Sequence, residues 1–288
     1  ATTHVLSTLP RRAVSFTIYS MPSVRRVSST IPMMTMASPN PQPPHVAPVS
    51  SRASHLPFDF QWLGEVDYDA SWRRQEEETA RRKASAQDPH QAETARDVVL
   101  LLTHPSVYTA GRMTEDSDLP DNGAPVVSIN RGGRITWHGP GQLVGYPIIK
   151  LAEPMDVIAF VRRTEEALIR VVNDFGVTAG RVAGRSGVWV PSDAAVGLPG
   201  GRPERKIAAL GYHLTGGVSQ HGFAVNCCNS VEPYSHIVPC GISDASVTTL
   251  SLEVGETITP TDILPAVQHY FQLALDGELE LTEGEIPR

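Results

Sequence analysis

Acidic side chains are missing from the first fifth of this chain, where Asp59 is the first carboxylate of any kind. Cysteine is scarce as well: Cys227, Cys228 and Cys240 are the whole complement. Three is an odd number, adjacent cysteines rarely bridge comfortably, and no CxxC occurs, so neither a disulfide framework nor a structural zinc site is expected. No uninterrupted apolar run approaches the ~18 residues that a membrane helix needs. A basic excess is lacking too. The formal charge is −7 over 288 residues, which argues against nucleic acid as the partner. There is no GK[ST] phosphate loop and no GxGxxG fingerprint.

What the chain does contain divides at about residue 55. Residues 1–55 are rich in Ser, Thr and Pro and carry Arg11, Arg12, Arg25, Arg26 and Arg52 as their charged groups. This basic, hydroxylated composition is that of an organelle-targeting presequence, with the mitochondrial matrix expected before the plastid. A disordered tail without an import role has the same composition. SPNPQPPHVAPV (38–49) reads as an extended linker. Residues 56–288 form the expected catalytic body, with 19 basic against 31 acidic side chains.

Periodicity lays out the body. FDFQWLGEV (58–66) reads as an entry strand or turn, and residues 67–85 as a charged helix with Tyr68, Trp72 and Gln75 on one side. VVLLLTH (98–104) reads as a buried strand ended by Pro105, VVSIN (126–130) as a second and LVGYPIIKL (143–151) as a third. Residues 155–175 have the clearest amphipathic pattern, with Val157, Phe160, Val161, Ala167, Leu168, Val171 and Val172 on the apolar face and Gly176 as the stop. GVWV (187–190) is a short strand, and 191–205 a Pro/Gly-rich loop. KIAALGYHL (206–214) and HGFAVNC (221–227) read as paired strands around Gly216-Gly217, and the last helix spans about 260–275. Strands and helices mix without regular alternation, which predicts a mixed α/β (α+β) fold, a mixed sheet flanked by helices.

Three stretches carry the chemistry. RGGRITWHGPGQ (131–142) packs four glycines and a proline around Trp137 and His138, between two expected strands. Glycine there permits positive φ and close approach of a ligand to backbone, and a tight structural turn would show the same density. Lys206 opens an apolar run, where a lysine is ordinarily solvated. Cys240 stands between Pro239 and Gly241, where a thiol can sit on an exposed turn. A free cysteine is most often a small buried hydrophobe. A nucleophilic one needs a nearby cation, and Lys206, His138, His221 and His236 are the candidates.

Taken together these words resemble the lipoyl(octanoyl) transferase family. They are HPSVYTAGR (104–112), NRGGRITWHGPGQLVGYP (130–147), GVWV (187–190), KIAALG (206–211), HGFAVN (221–226), PCGI (239–242) and VTTL (247–250), in the family's order over roughly residues 58–255. The resemblance implies a fold related to the biotin and lipoate protein ligases and a two-step transfer. Cys240 would take an octanoyl group from octanoyl-acyl carrier protein as a thioester. A lysine of a lipoyl domain would then take it as an amide, on 2-oxoacid dehydrogenase E2 subunits or glycine cleavage H protein. Lys206 matches the dyad lysine, lowering the thiol pKa and later serving as base. Arg131, Gly132, Gly133, Arg134, Ile135, Thr136, Trp137 and His138 match the acyl-binding loop, with Ala209, Leu210 and Gly211, and Gly222, Phe223 and Ala224. His138 would orient the reacting carbonyl or assist the dyad. No cofactor or metal is implied, because a thioester is already activated. The chain departs from the common pattern at Asn130, where an acid is frequent, at Thr249, where serine is, and in residues 191–205, an apparent insertion.

Two other readings compete. An ATP-dependent ligase on the same fold does not require Cys240, and the intact PCGI word favours the transferase. A scaffold that only binds lipoyl domains has no reason to keep both Lys206 and Cys240.

Overall fold

The computed structural model describes residues 50–288 apart from 93, 239–245, 283 and 288. The VVLLLT run shows why the sheet is the middle layer. Strand β2 (Val98–Thr103) follows β1 (Asp59–Glu65) and helices α1 (Tyr68–Gln87) and α2 (Pro89–Ala92). Side chains of a strand alternate between faces. Val99 and Leu101 enter the main core while Val98, Leu100 and Leu102 enter a second cluster on the other face. A strand covered on both faces needs apolar residues at every position, hence the continuous run.

The same division recurs in the neighbours. Strands β3 (Val107–Ala110), β4 (Val126–Ser128) and β5 (Thr136–His138) precede β6 (Gln142–Ile148), helix α3 (Val157–Asp174) and strands β7 (Gly180–Val182) and β8 (Arg185–Val190). Then come β9 (Arg205–Thr215), β10 (Val218–Asn226), β11 (Ser246–Val247), α4 (Leu250–Val254) and α5 (Pro260–Asp276). Leu143 of β6 and Phe223 and Val225 of β10 face the main core with α3 and α5, whereas Val144, Tyr146 and Ala224 face the side on which α1 packs. Among the described residues the sheet has eight strands in the order β1-β2-β6-β10-β9-β8-β7, with β11 paired to β9. β1/β2 and β11/β9 are parallel and the remaining pairs antiparallel. Strands β4-β3-β5 form a separate small sheet.

The expected mixed sheet flanked by helices is what folds. The hairpin between β9 and β10 turns through Gly216 and Gly217, with φ of 60° and 72°. A two-residue loop with both residues at positive φ matches the twist of its strands. Asp156 caps α3 through its Ala159 N–H bond of 2.8 Å, and Gly176 turns the chain out of the helix at φ 80°. Thr259 and Asp262 cap α5 reciprocally, with Pro260 at its first position.

Several elements differ from expectation, β3 among them. RGGRITWHGPGQ is not all loop, because Thr136–His138 form β5 against β3, and neither short strand has a period long enough to read. β7 was not expected at all. Val157, assigned to the apolar face of α3, is 41% exposed in the first turn, ahead of the point where the helix meets the sheet. At the other end of the body, Ser50–His55 are part of the fold. Arg52 pairs with Leu151 in a β-bridge, and its Nε reaches Asp276 Oδ1 at 2.6 Å. Its side chain is fully buried over Phe58.

Candidate active site

A cavity of about 370 Å³ opens on the α1 side of the sheet, lined along β9 by Lys206, Ala209, Leu210 and Gly211 and along β10 by Gly222, Phe223 and Ala224. That is the small end of the range for ligand pockets, about 300–1,000 Å³. Register sets its long direction. Ala209 faces Ala224 and Gly211 faces Gly222 across the antiparallel pair. Five residues of strand separate Lys206 from Gly211, or roughly 17 Å at the rise of an extended chain.

Glycine is required where backbone closes the cavity. A Cβ on Gly222 would stand 2.1 Å from Gly145 O, and one on Gly211 would stand 3.0 Å from Arg131 Cδ. Arg131 is a brace for the neighbouring loop. Its Nη1 donates to Gly132 O (2.9 Å) and Arg134 O (2.8 Å), and its Nη2 to Thr109 O (2.8 Å). One planar guanidinium thereby satisfies two carbonyls of the tight RGGR turn and ties the turn to Thr109 of β3. Gly132 N–H adds a bond to Tyr212 O at 3.0 Å, tying the loop to β9.

Lys206 is 8% exposed, and its Nζ lies 4.6 Å from the centroid of the Trp189 ring. The ring face attracts the ammonium without neutralising it. Among the described residues Nζ has no carboxylate partner. The flanking charges are held elsewhere. Arg205 is bonded to Glu253 through Nε (2.6 Å) and Nη2 (2.7 Å), and Arg185 to Glu204 at 3.0 Å. The 191–205 loop is closed by Arg202, whose N–H and Nε both meet Asp193 Oδ2 at 3.1 Å.

The histidines around the cavity are neutral. Burial, the neighbouring His104 and the Arg131 charge push the His138 ring down to about 3. Burial followed by Arg131 pushes His221 down to about 3 as well. His104 is lowered by burial; its Nδ1–H donates to Val66 O at 2.6 Å, and Tyr146 Oη donates to its Nε2 at 2.8 Å. His221, at φ 55°, bonds through Nε2 to Asn130 Oδ1 at 2.6 Å, so the departure at position 130 supplies a neutral partner. His236 is raised by its bonds to Asp121 and Glu232, outside the cavity. Of the four groups considered as the cation for a thiol, Lys206 is the one amine, and it lines the cavity with no carboxylate paired to it among the described residues.

Cys227 is buried in the main core, and burial pushes its thiol up. Cys228 is raised by burial and by Asp262. Cys240 lies outside the described residues. The chain leaves the described structure at Val238 and returns at Ser246, where β11 places Val247 opposite Lys206.

Of the residues anticipated for binding, Arg131, Gly133, Arg134, Thr136 and His138 line the cavity with those of β9 and β10 named above. Ile135 and Trp137 do not. They pack with Tyr108, Tyr234 and Ile237 in a satellite cluster, because alternation along β5 turns them to its other face. Gly132 serves through its backbone. Tyr68, Val144, Tyr146, Arg185 and Ser186 also line the cavity and were not anticipated. The helical spacing of Tyr68, Trp72 and Gln75 was a signal for the first of these; the others became neighbours through strand order alone.

A small-residue trough on a mixed sheet, closed by a glycine-rich loop and holding a buried lysine, defines an acyl-type transferase or ligase site on the lipoate protein ligase fold. Among solved structures, the bipartite lipoate protein ligase of Thermoplasma acidophilum is 16% identical with a TM-score of 0.55, covering 81% of this chain and 88% of that one. The lipoate protein ligase from the same organism with bound lipoic acid gives a TM-score of 0.52 at 12% identity, covering 76% and 86%. The family model for the lipoyl protein ligase A/B catalytic domain matches residues 67–272. The octanoyltransferase of Corynebacterium diphtheriae is 55% identical over 237 residues, 81% of this chain and 88% of the relative. That of Rhodococcus jostii is 49% identical over 239 residues, 83% and 89%. The chain belongs to the octanoyltransferase family and is an acyltransferase.

Proposed function

We propose that this enzyme moves an octanoyl group from octanoyl-acyl carrier protein to a lysine of a lipoyl domain through a thioester on Cys240. The observation that carries the reading is Lys206: a buried amine over an aromatic face, lining a cavity whose strand walls carry Ala209, Gly211, Gly222 and Ala224. An alkyl chain gains about 0.8 kcal/mol for each buried methylene, so such a trough favours a medium-length acyl group over acetyl.

The atoms balance without ATP. The Cys240 thiolate attacks the carrier thioester, the carrier's C–S bond breaks, and the carrier leaves as a thiolate that takes up a proton from the Lys206 ammonium, leaving Nζ neutral. The substrate amine then attacks the enzyme thioester. Its nitrogen loses a proton to Lys206 Nζ as the C–S bond breaks, which restores the thiolate–ammonium pair. The E2 subunits of 2-oxoacid dehydrogenases and glycine cleavage H protein are the expected acceptors.

Intact-mass spectrometry of the full chain with octanoyl-carrier protein and an unmodified lipoyl domain, without ATP, tests this. An octanoyl adduct on Cys240 followed by an octanoyl amide on the lipoyl domain is expected. Mass changes that wait for ATP and free octanoate would mean a ligase. The basic, acid-free residues that precede the folded body at Ser50 support an organellar address, although the relatives named above are bacterial. A reporter fused to them that stays in the cytosol would refute that address.

A further inference from the structure

His138, Gln142 and Asn226 form a one-way series of hydrogen bonds whose direction is set by backbone carbonyls. Asn226 Nδ2 donates to Thr248 O at 3.0 Å, and a peptide oxygen can only accept. That orients the amide, so Asn226 Oδ1 is the acceptor for Gln142 Nε2 at 2.9 Å. Gln142 Nε2 also faces Trp137 O at 3.4 Å. The reverse orientation of Gln142 would set its oxygen against two acceptors. Gln142 Oε1 therefore accepts, and its donor is the Nδ1–H of His138 at 2.7 Å. All three side chains are buried, so bulk water does not compete for these bonds.

A neutral imidazole carries one proton. With that proton on Nδ1, the Nε2 of His138 is left as a lone-pair acceptor. Its ring lines the cavity, and Nε2 has no hydrogen bond among the described residues. The ring of His104, with its centroid 5.9 Å away, has its own acceptor nitrogen occupied by Tyr146. The series also reaches the dyad lysine, because Thr248 N–H donates to Lys206 O at 3.0 Å. Four hydrogen bonds thus run from the backbone of Lys206 to the ring of His138.

An acceptor cannot bind a thioester carbonyl or an oxyanion, since both are acceptors themselves. It can bind an amine N–H. Resting on the acyl-enzyme reading above, we propose that His138 is the positioning residue for the attacking amine, its Nε2 accepting one N–H of the substrate lysine. Held by that bond, the amine keeps its lone pair free for the carbonyl carbon. His138 takes no proton, and the nitrogen's departing proton goes to Lys206. Orientation of the reacting carbonyl, expected from the sequence as one of two roles for His138, does not fit this tautomer.

Nitrogen NMR of the histidine side chains in the full chain reads the tautomer directly. The Nδ1–H form is expected at neutral pH; an Nε2–H form or a protonated ring would overturn the proposal. His138→Phe is then compared with the parent in single turnovers, following thioester formation and amide formation separately by mass. One hydrogen bond to a polar or charged group corresponds to about 10–100-fold in rate. The variant is expected to slow amide formation about 10–100-fold more than thioester formation. Equal slowing of both steps, or none, would reject the assignment. Gln142→Met, which frees the ring to adopt either tautomer, should show a mixed spectrum and a smaller preference of the same sign; unequal slowing with an unchanged spectrum would also reject it. If the parent itself forms no thioester, the acyl-enzyme reading fails, and the NMR result still decides the tautomer.

Discussion

Val247 lies opposite Lys206 in parallel register, so the segment that follows the PCGI word returns to the sheet beside the buried lysine. The lysine's other neighbour is Trp189, with Nζ 4.6 Å from the ring centroid. A cation on an aromatic face in a desolvated site is held by about 2 kcal/mol or more.

Removing that charge should disarm the thiol. In Lys206→Ala, alkylation of Cys240 is expected to move to higher pH, and octanoyl transfer to fall by about 100-fold or more. Trp189→Phe keeps a smaller ring and should lower transfer several-fold without that displacement. Alkylation rate against pH, with Cys240→Ala as the blank, checks both variants; an unmoved curve in Lys206→Ala removes the lysine from the mechanism.

Ala224 faces Ala209 in the floor of the trough. Ala224→Val adds two methyl-sized groups there and should shift preference from octanoyl toward shorter acyl groups. Each methylene excluded is worth about 0.8 kcal/mol, or roughly fourfold in relative affinity. Competition between octanoyl- and hexanoyl-carrier protein measures the shift, and an unchanged ratio would place the acyl chain elsewhere.

Two neutral histidines give a defined pH dependence of stability. His138 and His221 are pushed down to about 3 by burial, whereas an unfolded histidine titrates near 6.5. Between those values the unfolded chain binds protons that the folded chain refuses, so stability falls as pH drops from 6.5 toward 3. The slope reaches about 1.4 kcal/mol per pH unit for each ring. Asn tolerates the φ of 55° at position 221. His221→Asn should therefore fold and show a shallower decline in urea midpoint across pH 4–6.5; an equal slope would contradict the burial argument.

Arg52 marks where the folded body has already begun. It bonds Asp276 and lies 3.6 Å from Asp97, and both it and Asp97 are fully buried. Removing one member of a buried ion cluster costs about 3–5 kcal/mol. Arg52→Ala, or a chain begun at Leu56, should unfold at distinctly lower urea than a chain begun at Ser50. Equal midpoints would show the cluster to be dispensable.

The elements visible in the sequence were those with a long period or a complete signal. α3 and α5 carry caps and stops within their own residues, and β2 has an apolar run that only a doubly covered strand needs. β3, β5 and β7 are three or four residues long, too short for alternation to show. Arg52 looked like one more basic residue of a leader, because nothing local reveals that Asp97 and Asp276 wait for it. Lys206 and the glycines of 131–133 were legible as parts of a site through the ordered family words. Tyr146 was not, and Tyr68 showed only as part of one helix face.

Residue order alone carried the family words around Lys206 and Cys240, the small residues of β9 and β10, and the mixture of strands and helices that predicts a mixed sheet. These are properties of local sequence, carried by side-chain identity and period. Folding decided which groups retain charge and which way each hydrogen bond points. His138, His221 and Lys206 all looked like possible cations in the sequence. Burial makes the two imidazoles neutral, while Lys206 packs its Nζ over the Trp189 ring. The tautomer of His138 depends on Thr248 O, 110 residues away along the chain. No local pattern encodes it, because a proton's position follows from the donors and acceptors that tertiary structure assembles around the ring.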